Sequence, residues 1–298
     1  MTLQQLKYAI AVAEKSSISE AAKSLFISQP TLSSAIKELE SEINITIFVR
    51  TSKGINTSPE GEEFLGYARQ VVEQANLLES KYTKGKVSKS RFNVSTQHYS
   101  FAVNAFVDIL KSRGFDEYEF TLRETRTYEI INDVKTLKSQ IGILYLSEFN
   151  ESVIKKLLEE NRLAFYELFT AKPHIFVSRA NELAKRKSVR TEELEDYPRL
   201  SFEQGEYNSF YYAEEMFSAL EHRKCIKVSD RATLFNLLIG MDGYTVCTGI
   251  ISEELNGDNI VAVPIETDEV IRVGYILHKG VGRTEIVEEY IEALKRYV

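Results

Sequence analysis

One stretch, Ser16–Lys53, constrains this chain more than any other, because its pattern specifies a complete small architecture over a short span. From Ser17 to Ile43 it reads SISEAAKSLFISQPTLSSAIKELESEI. The spacing predicts a short amphipathic helix, a tight break, and a second helix entered through Ser28-Gln29-Pro30. From Ile47 it continues IFVRTSKGINTSPEG, a hairpin-like run that ends in a new helix start. Two helices followed by a small wing are the parts of a winged helix-turn-helix, a scaffold that reads duplex DNA.

The elements around it follow local chemistry. Thr2 is placed to cap a first helix carrying Leu3, Leu6, Ile10 and Ala13 on one stripe. Ser19 can cap the second helix, whose Ala21 and Ala22 allow a close helix crossing, and Phe26 and Ile27 are expected to fill the turn. Ser28 caps the third helix, and Pro30 sits in its first turn, where a missing N–H costs little. Leu32, Ile36, Leu39 and Ile43 form its buried stripe. The opposite face offers Gln29, Pro30, Thr31, Ser33, Ser34 and Lys37, short polar groups suited to base edges and phosphates. Taken alone, that face could equally be the solvated side of a core helix. The alternation Ile45–Arg50 and the basic turn at Arg50–Lys53 favour the DNA-reading alternative.

Thr57 and Glu60 have capping-box spacing before a long helix from Pro59 to about Tyr82. Phe64, Ala68, Val71, Ala75, Leu78 and Tyr82 step by four and three, which is a coiled-coil seam. Packing on its own domain is the plainer alternative; the helix length favours a second copy of the chain. Lys81, Lys84, Gly85, Lys86 and Lys89 then make a basic linker. Residues 1–90 carry a net charge of +1 and the remaining 208 a net charge of −8, so DNA binding must rest on a few well-placed bases.

From Phe92 onward strands and helices alternate, which predicts an α/β sandwich with mainly parallel sheets. A helix is expected over 207–222. Two such runs suggest two lobes, with crossings near 162–166 and 264–270. Two cysteines, Cys225 and Cys247, exclude a disulfide framework and a Cys-rich zinc module. No apolar run of about 18 residues and no signal-peptide pattern occur, so a cytoplasmic location is expected. His98, His174, His222 and His278 are scattered, and no catalytic or nucleotide motif is present. An acid/base pair of Glu203 with His98, or a carrier for small ligands, are the alternatives to a DNA-binding role. Neither a metal nor a cofactor is expected.

The ordered set LKYAIAVAE, SISEAAKSLFISQPTLSSAIKELESEINITIFVRT and GINTSPEG closely resembles the LysR-type transcriptional regulators over about residues 1–65. The resemblance implies an α/β chain of three parts: a winged helix-turn-helix at 1–58, a linker and dimerisation helix at 59–86, and a two-lobed effector domain at 91–298, similar to periplasmic binding proteins. Lobe I would be about 91–163 with 268–298, and lobe II about 164–267. The expected partners are double-stranded DNA with a pseudo-palindromic operator and further copies of the chain, as homodimer or homotetramer; contact with RNA polymerase is compatible with the family. Carried over by position, Ser28, Gln29, Pro30, Thr31, Ser33, Ser34 and Lys37 match the recognition helix, and Arg50, flanked by Thr51 and Lys53, the wing. This chain has Ser34-Ala35 where many members have Arg or a large amide, so fewer long side chains reach bases.

A small-molecule co-inducer is the other implication. Ser95, Thr96, Gln97 and His98 end a strand just before a helix, a suitable cradle for a carboxylate; a plain helix cap is the alternative for Ser95 or Thr96. Ser147, Phe202, Glu203, Gln204, Thr248 and Gly249 lie at other strand ends expected to face the cleft. The Thr96-Gln97 strand end is similar to that of the cysteine-regulon regulators, which points to O-acetylserine, homocysteine or a related amino-acid-like anion.

Overall fold

The computed structural model describes residues 1–51, 54–82, 90–114, 117–207, 209–251 and 259–298, with the side chains of 50, 51, 54 and 80–82 left aside. The chain divides into two compact units, residues 1–90 with 136–138, and residues 91–135 with 139–298.

The first unit begins with α1 (Leu3–Lys15), α2 (Ile18–Ser24) and α3 (Gln29–Ile43). A capping box joins Thr2 to Gln5 at the start of α1. Ser17, in extended backbone, accepts the Glu20 N–H and caps α2, two residues before the expected Ser19. Ser28 caps α3 through the Thr31 N–H, and Asn44 ends that helix in the left-handed region. The buried stripe of α1 is Leu6, Ala9 and Val12, with Leu3 exposed and Ile10 and Ala13 only half-buried. These pack on Ala21, Ala22, Leu32, Ile36 and Leu39 in one core. Ile27 joins that core, whereas Phe26 does not fill the turn: it is 96% exposed, and its φ of 56° turns the chain outward.

The wing is the antiparallel pair β1 (Phe48–Thr51) and β2 (Gly54–Thr57), in the register Phe48 to Thr57 and Thr51 to Gly54. The Glu40 carboxylate of α3 accepts the Ile47 N–H at 2.7 Å and the Phe48 N–H at 3.0 Å, which fixes the wing to the helix before it. The long helix α4 runs from Pro59 to Tyr82. Its cap is Ser58, which accepts the Gly61 N–H at 2.8 Å and donates to the Thr46 carbonyl; Thr57 is instead paired in the wing. Gly61 has no alternative, since a Cβ there would lie 2.3 Å from the Ile47 carbonyl oxygen. Leu65 is buried in the core of this unit, with Phe64 packed against it, and Ala68 is also buried.

The second unit holds two five-stranded sheets. The first, in the order β4-β3-β5-β12-β6, uses β3 (Ser90–Thr96), β4 (Tyr118–Glu124), β5 (Ile141–Leu146), β6 (Leu163–Ala171) and β12 (Ile271–His278). The second, in the order β11-β7-β10-β8-β9, uses β7 (His174–Ser178), β8 (Arg199–Phe202), β9 (Cys225–Val228), β10 (Tyr244–Cys247) and β11 (Ile260–Pro264). The helices are α5 (Ser100–Arg113), α6 (Thr127–Lys135), α7 (Glu151–Glu160), α8 (Arg231–Gly240) and α9 (Glu285–Leu294).

Three expectations change here. The sheets are mixed: β3–β5, β10–β8 and β8–β9 are parallel, while β12 runs antiparallel to both neighbours and β7 to β10 and β11. The first crossing falls after Ala171, not near 162–166, because β6 pairs with β12 along its whole length. The expected helix over 207–222 is a single 3-10 turn at Phe210–Tyr212 amid irregular chain. Its aromatic side chains stack on other elements: Tyr207 on Tyr128 at 3.5 Å and Tyr211 on Phe149 at 4.9 Å. These contacts outweigh the weak helix propensity of aromatic residues.

Candidate functional site

Two surfaces carry candidate chemistry, one in each unit. In the first unit, Ser28, Gln29, Pro30, Thr31, Ser34 and Lys37 are exposed along α3, and Ser33 is half-buried. Ser28 and Thr31 share a hydroxyl–hydroxyl bond of 2.7 Å, and Gln29 accepts from Ser19 at 3.2 Å. The amide of Gln29 is thus steadied by α2 while its N–H2 end stays available. Lys53 and the side chains of Arg50 and Thr51 lie outside the described residues, as do the linker lysines. On α4, Val71 and Leu78 are 50% and 63% exposed, Ala75 is half-buried, and the Tyr82 side chain falls outside the description.

In the second unit a cavity of about 690 Å³, its open mouth included, lies among β3, α5, β8, α8 and β10. Its polar wall begins where β3 passes into α5. Tyr99 occupies the cap position of α5 and makes no side-chain cap bond. Just before it, Glu214 Oε2 accepts the His98 N–H at 3.1 Å and pairs with His98 Nδ1 at 2.8 Å. The His98 ring stacks on Phe202 at 3.7 Å, almost parallel. Burial pulls the His98 imidazole down, but the Glu214 carboxylate more than offsets it, and the group titrates above its ordinary value. Next to it Glu215 is almost wholly buried. Burial, reinforced by the Glu214 charge, pushes its carboxyl up to about 8.

Arg231, the first residue of α8, forms an ion pair of 2.9 Å with Glu124. Burial raises the Glu124 carboxyl, and Arg231 opposes that shift. The rest of the wall is apolar, with Phe176, Leu234, Phe235 and Ile251 prominent. The Cys247 thiol lines it too, donates to the His174 carbonyl at 3.5 Å and is pushed up by burial, so it is a poor nucleophile.

Of the residues singled out from sequence, His98, Phe202 and Thr248 line this cavity. The others are placed elsewhere. Ser95 is buried against α6, donating to Asp133 at 2.7 Å and bonded to Ser139 at 2.9 Å. Thr96 bonds to the Gln97 carbonyl. Gln97 donates to Thr127 at 2.6 Å and accepts from Tyr99 and the Tyr145 N–H, each at 3.0 Å. Ser147 donates its N–H to Asn150. Glu203 pairs with Arg126, so the acid beside His98 is Glu214 and not Glu203. Gln204 accepts the Thr127 N–H at 3.2 Å and donates to Glu214 at 3.4 Å. Gly249, at φ 82°, lies against the His174 ring. Sequence reasoning missed Glu214, Glu215, Arg231 and Thr245. The adjacent acids in a run otherwise rich in aromatic residues were the one signal available.

The profile of the bacterial regulatory helix-turn-helix proteins of the lysR family matches residues 3–62, and that of the LysR substrate binding domain matches residues 112–298. The chain belongs to the LysR family. Its function is that of a LysR-type DNA-binding transcriptional regulator, in a family of regulators and not of enzymes. Escherichia coli K12 holds a similar protein, the DNA-binding transcriptional dual regulator OxyR, 24% identical over a 303-position alignment that covers 99% of this chain and 95% of that one. A full-length OxyR variant from Pseudomonas aeruginosa shares the fold with a TM-score of 0.68 at 19% identity, covering 100% and 99% of the two chains. Full-length CbnR in complex with its target DNA shares it with a TM-score of 0.56 at 17% identity, covering 100% of each. Among the described residues, no helix is long and apolar enough to cross a membrane.

Proposed function

We propose that this LysR-family chain acts in the cytoplasm, binding a pseudo-palindromic operator as a homodimer or homotetramer and changing its grip when a small molecule enters the cavity of the second unit. The observation that carries the reading is the α3 face. Ser28, Gln29, Pro30, Thr31, Ser33, Ser34 and Lys37 offer hydroxyl, amide and ammonium groups on one exposed surface, and Arg50, Thr51 and Lys53 follow in the wing sequence. The fold shared with DNA-bound CbnR supports that docking. The exposed Val71 and Leu78 on α4 support pairing through the later turns of that helix, with its first turns committed to their own core. The division of labour proposed is DNA reading by residues 1–58, pairing by 59–86 and effector sensing by 91–298, with contact to RNA polymerase as a further role of the assembled form. An O-acetylserine-like or homocysteine-like effector suits a cavity with both acidic and basic side chains.

A peroxide response through an internal disulfide is disfavoured. Four relatives of similar sequence are named hydrogen peroxide-inducible genes activators. In this chain Cys225 is on β9 and Cys247 on β10, with β8 between them. Two strand spacings separate their Cα atoms by roughly 10 Å or more, so a disulfide between them would require the strands to move.

Fluorescence anisotropy on the DNA upstream of the chain's own gene is the direct test. Binding should be tighter than to random duplex and should weaken with salt. Lys37→Ala and Arg50→Ala should each reduce the slope of affinity against salt by about 1. Equal affinity for random duplex would sink the operator reading.

A further inference from the structure

The cradle expected for an effector carboxylate is partly occupied by the chain itself. The N–H and ring of His98, just before α5, are taken by the Glu214 carboxylate, itself 95% buried and steadied by His98 and Gln204. An anionic ligand brought to this end of the cavity would meet Glu214 and Glu215 together. A cation there would be met by the Glu214 carboxylate and would favour the ionised form of Glu215.

The same cavity contains two polar atoms that the fold leaves unused. Thr245 Oγ1, on a residue 5% exposed, has no hydrogen-bond partner, and neither has Arg231 Nη1, although Arg231 Nη2 pairs with Glu124. Both can donate. A buried donor without an acceptor is destabilising, and a ligand oxygen would relieve it. A ligand with only a positive charge would leave these donors unpaired. One with only a negative charge would face the two acids. A ligand carrying both meets every group.

We propose that the cavity binds a small amino carboxylic acid, with its ammonium against the Glu214–Glu215 carboxyls, its carboxylate on Arg231 and Thr245, and an apolar side chain against Phe176 and Phe235. This rests on the effector reading above and names its ligand class. It has a consequence in protons. Glu215 faces Glu214 beside it, His98 before α5, Arg199 on β8, and Tyr99 and Tyr145. With its carboxyl pushed up to about 8, it is mostly protonated at neutral pH. An arriving ammonium stabilises the ionised form, so binding near pH 7 releases most of one proton, and binding at pH 9 releases little.

Calorimetry on the full chain tests this. The probes are alanine, valine, leucine, methionine, phenylalanine, homocysteine and O-acetylserine, each with its amine-only and acid-only counterpart, titrated at pH 7 in phosphate and in Tris. At least one amino acid should bind, and both of its counterparts should bind tenfold or more weakly. The heats in the two buffers should differ by most of one proton per ligand. Glu215→Gln keeps an acceptor for the Phe202 N–H, and should keep its melting temperature while losing the proton release and at least tenfold in affinity. Thr245→Val should weaken binding and leave the proton release unchanged. A panel without any binder, an acid-only or amine-only probe as tight as its parent, or unchanged proton release in Glu215→Gln would overturn the proposal. Operator anisotropy on the same preparation separates the two readings: specific DNA binding with a silent panel removes the ligand class and leaves the regulator standing.

Discussion

The α3 surface and the cavity of the second unit are built on opposite principles. Every part of the first lies within one continuous stretch, each turn set by its own cap: Thr2, Ser17, Ser28, Asn44 and Ser58 in order. The cavity is assembled from strand ends and irregular chain far apart in sequence, with His98 meeting Glu214 across 116 positions. Local chemistry is therefore enough to build the reading surface, and its errors are shifts of a residue or two. The cavity depends on which sheet each strand joins, and its polar wall is set by side chains that no local rule brings together.

The sharpest way to break the local unit is at Gly61. A Cβ there meets the Ile47 backbone at 2.3 Å, and backbone cannot swing aside as a long side chain would. Gly61→Val should cost about 3 kcal/mol or more, at the upper end of overpacking effects. Hydrogen exchange should show lost protection across α1–α4 with the second unit unchanged, and duplex binding should fall with it. Equal loss in both units would mean that the two are not independent in stability.

Gln97 probes the other side of the comparison at a smaller scale. Its side chain holds Thr127, Tyr99 and the Tyr145 N–H at once. Gln97→Ala would strand a buried N–H on β5, at a cost of about 1–3 kcal/mol. Denaturant unfolding should register that loss in the second unit, with operator affinity in the absence of effector unaltered. If stability were intact and effector affinity alone fell, Gln97 would be a ligand contact, as its place in the sequence suggests.

Physical reasons explain what was legible beforehand. The helix-turn-helix, the hairpin wing and the start of the long helix all follow from capping residues and period, signals confined to a few positions. The alternation of strands and helices was legible too. Sheet direction was not, because pairing partners such as β6 and β12 are about a hundred residues apart and nothing in either strand names the other. The strand end at Ser95–His98 was read as polar and open. Its hydroxyls are in fact spent on Asp133, Ser139 and the Gln97 carbonyl, and the His98 N–H on Glu214. Sequence shows which groups a segment offers, and only the fold shows which of them are already satisfied.

The start of α4 isolates that lesson in two neighbouring residues. Thr57 and Glu60 have the spacing of a capping box, so local reasoning places the cap on Thr57. The wing claims Thr57 by pairing it with Phe48, and the helix begins one residue later. Ser58 therefore supplies the cap, and its hydroxyl also reaches the Thr46 carbonyl. Ser58→Ala should cost about 1 kcal/mol, the ordinary value of a lost cap. Thr57→Val, which keeps a β-branched residue in the wing, should stay within about 0.5 kcal/mol. Paired thermal melts of the two variants decide the point. The reverse order would return the cap to Thr57 and show that the wing pairing is the weaker of the two constraints.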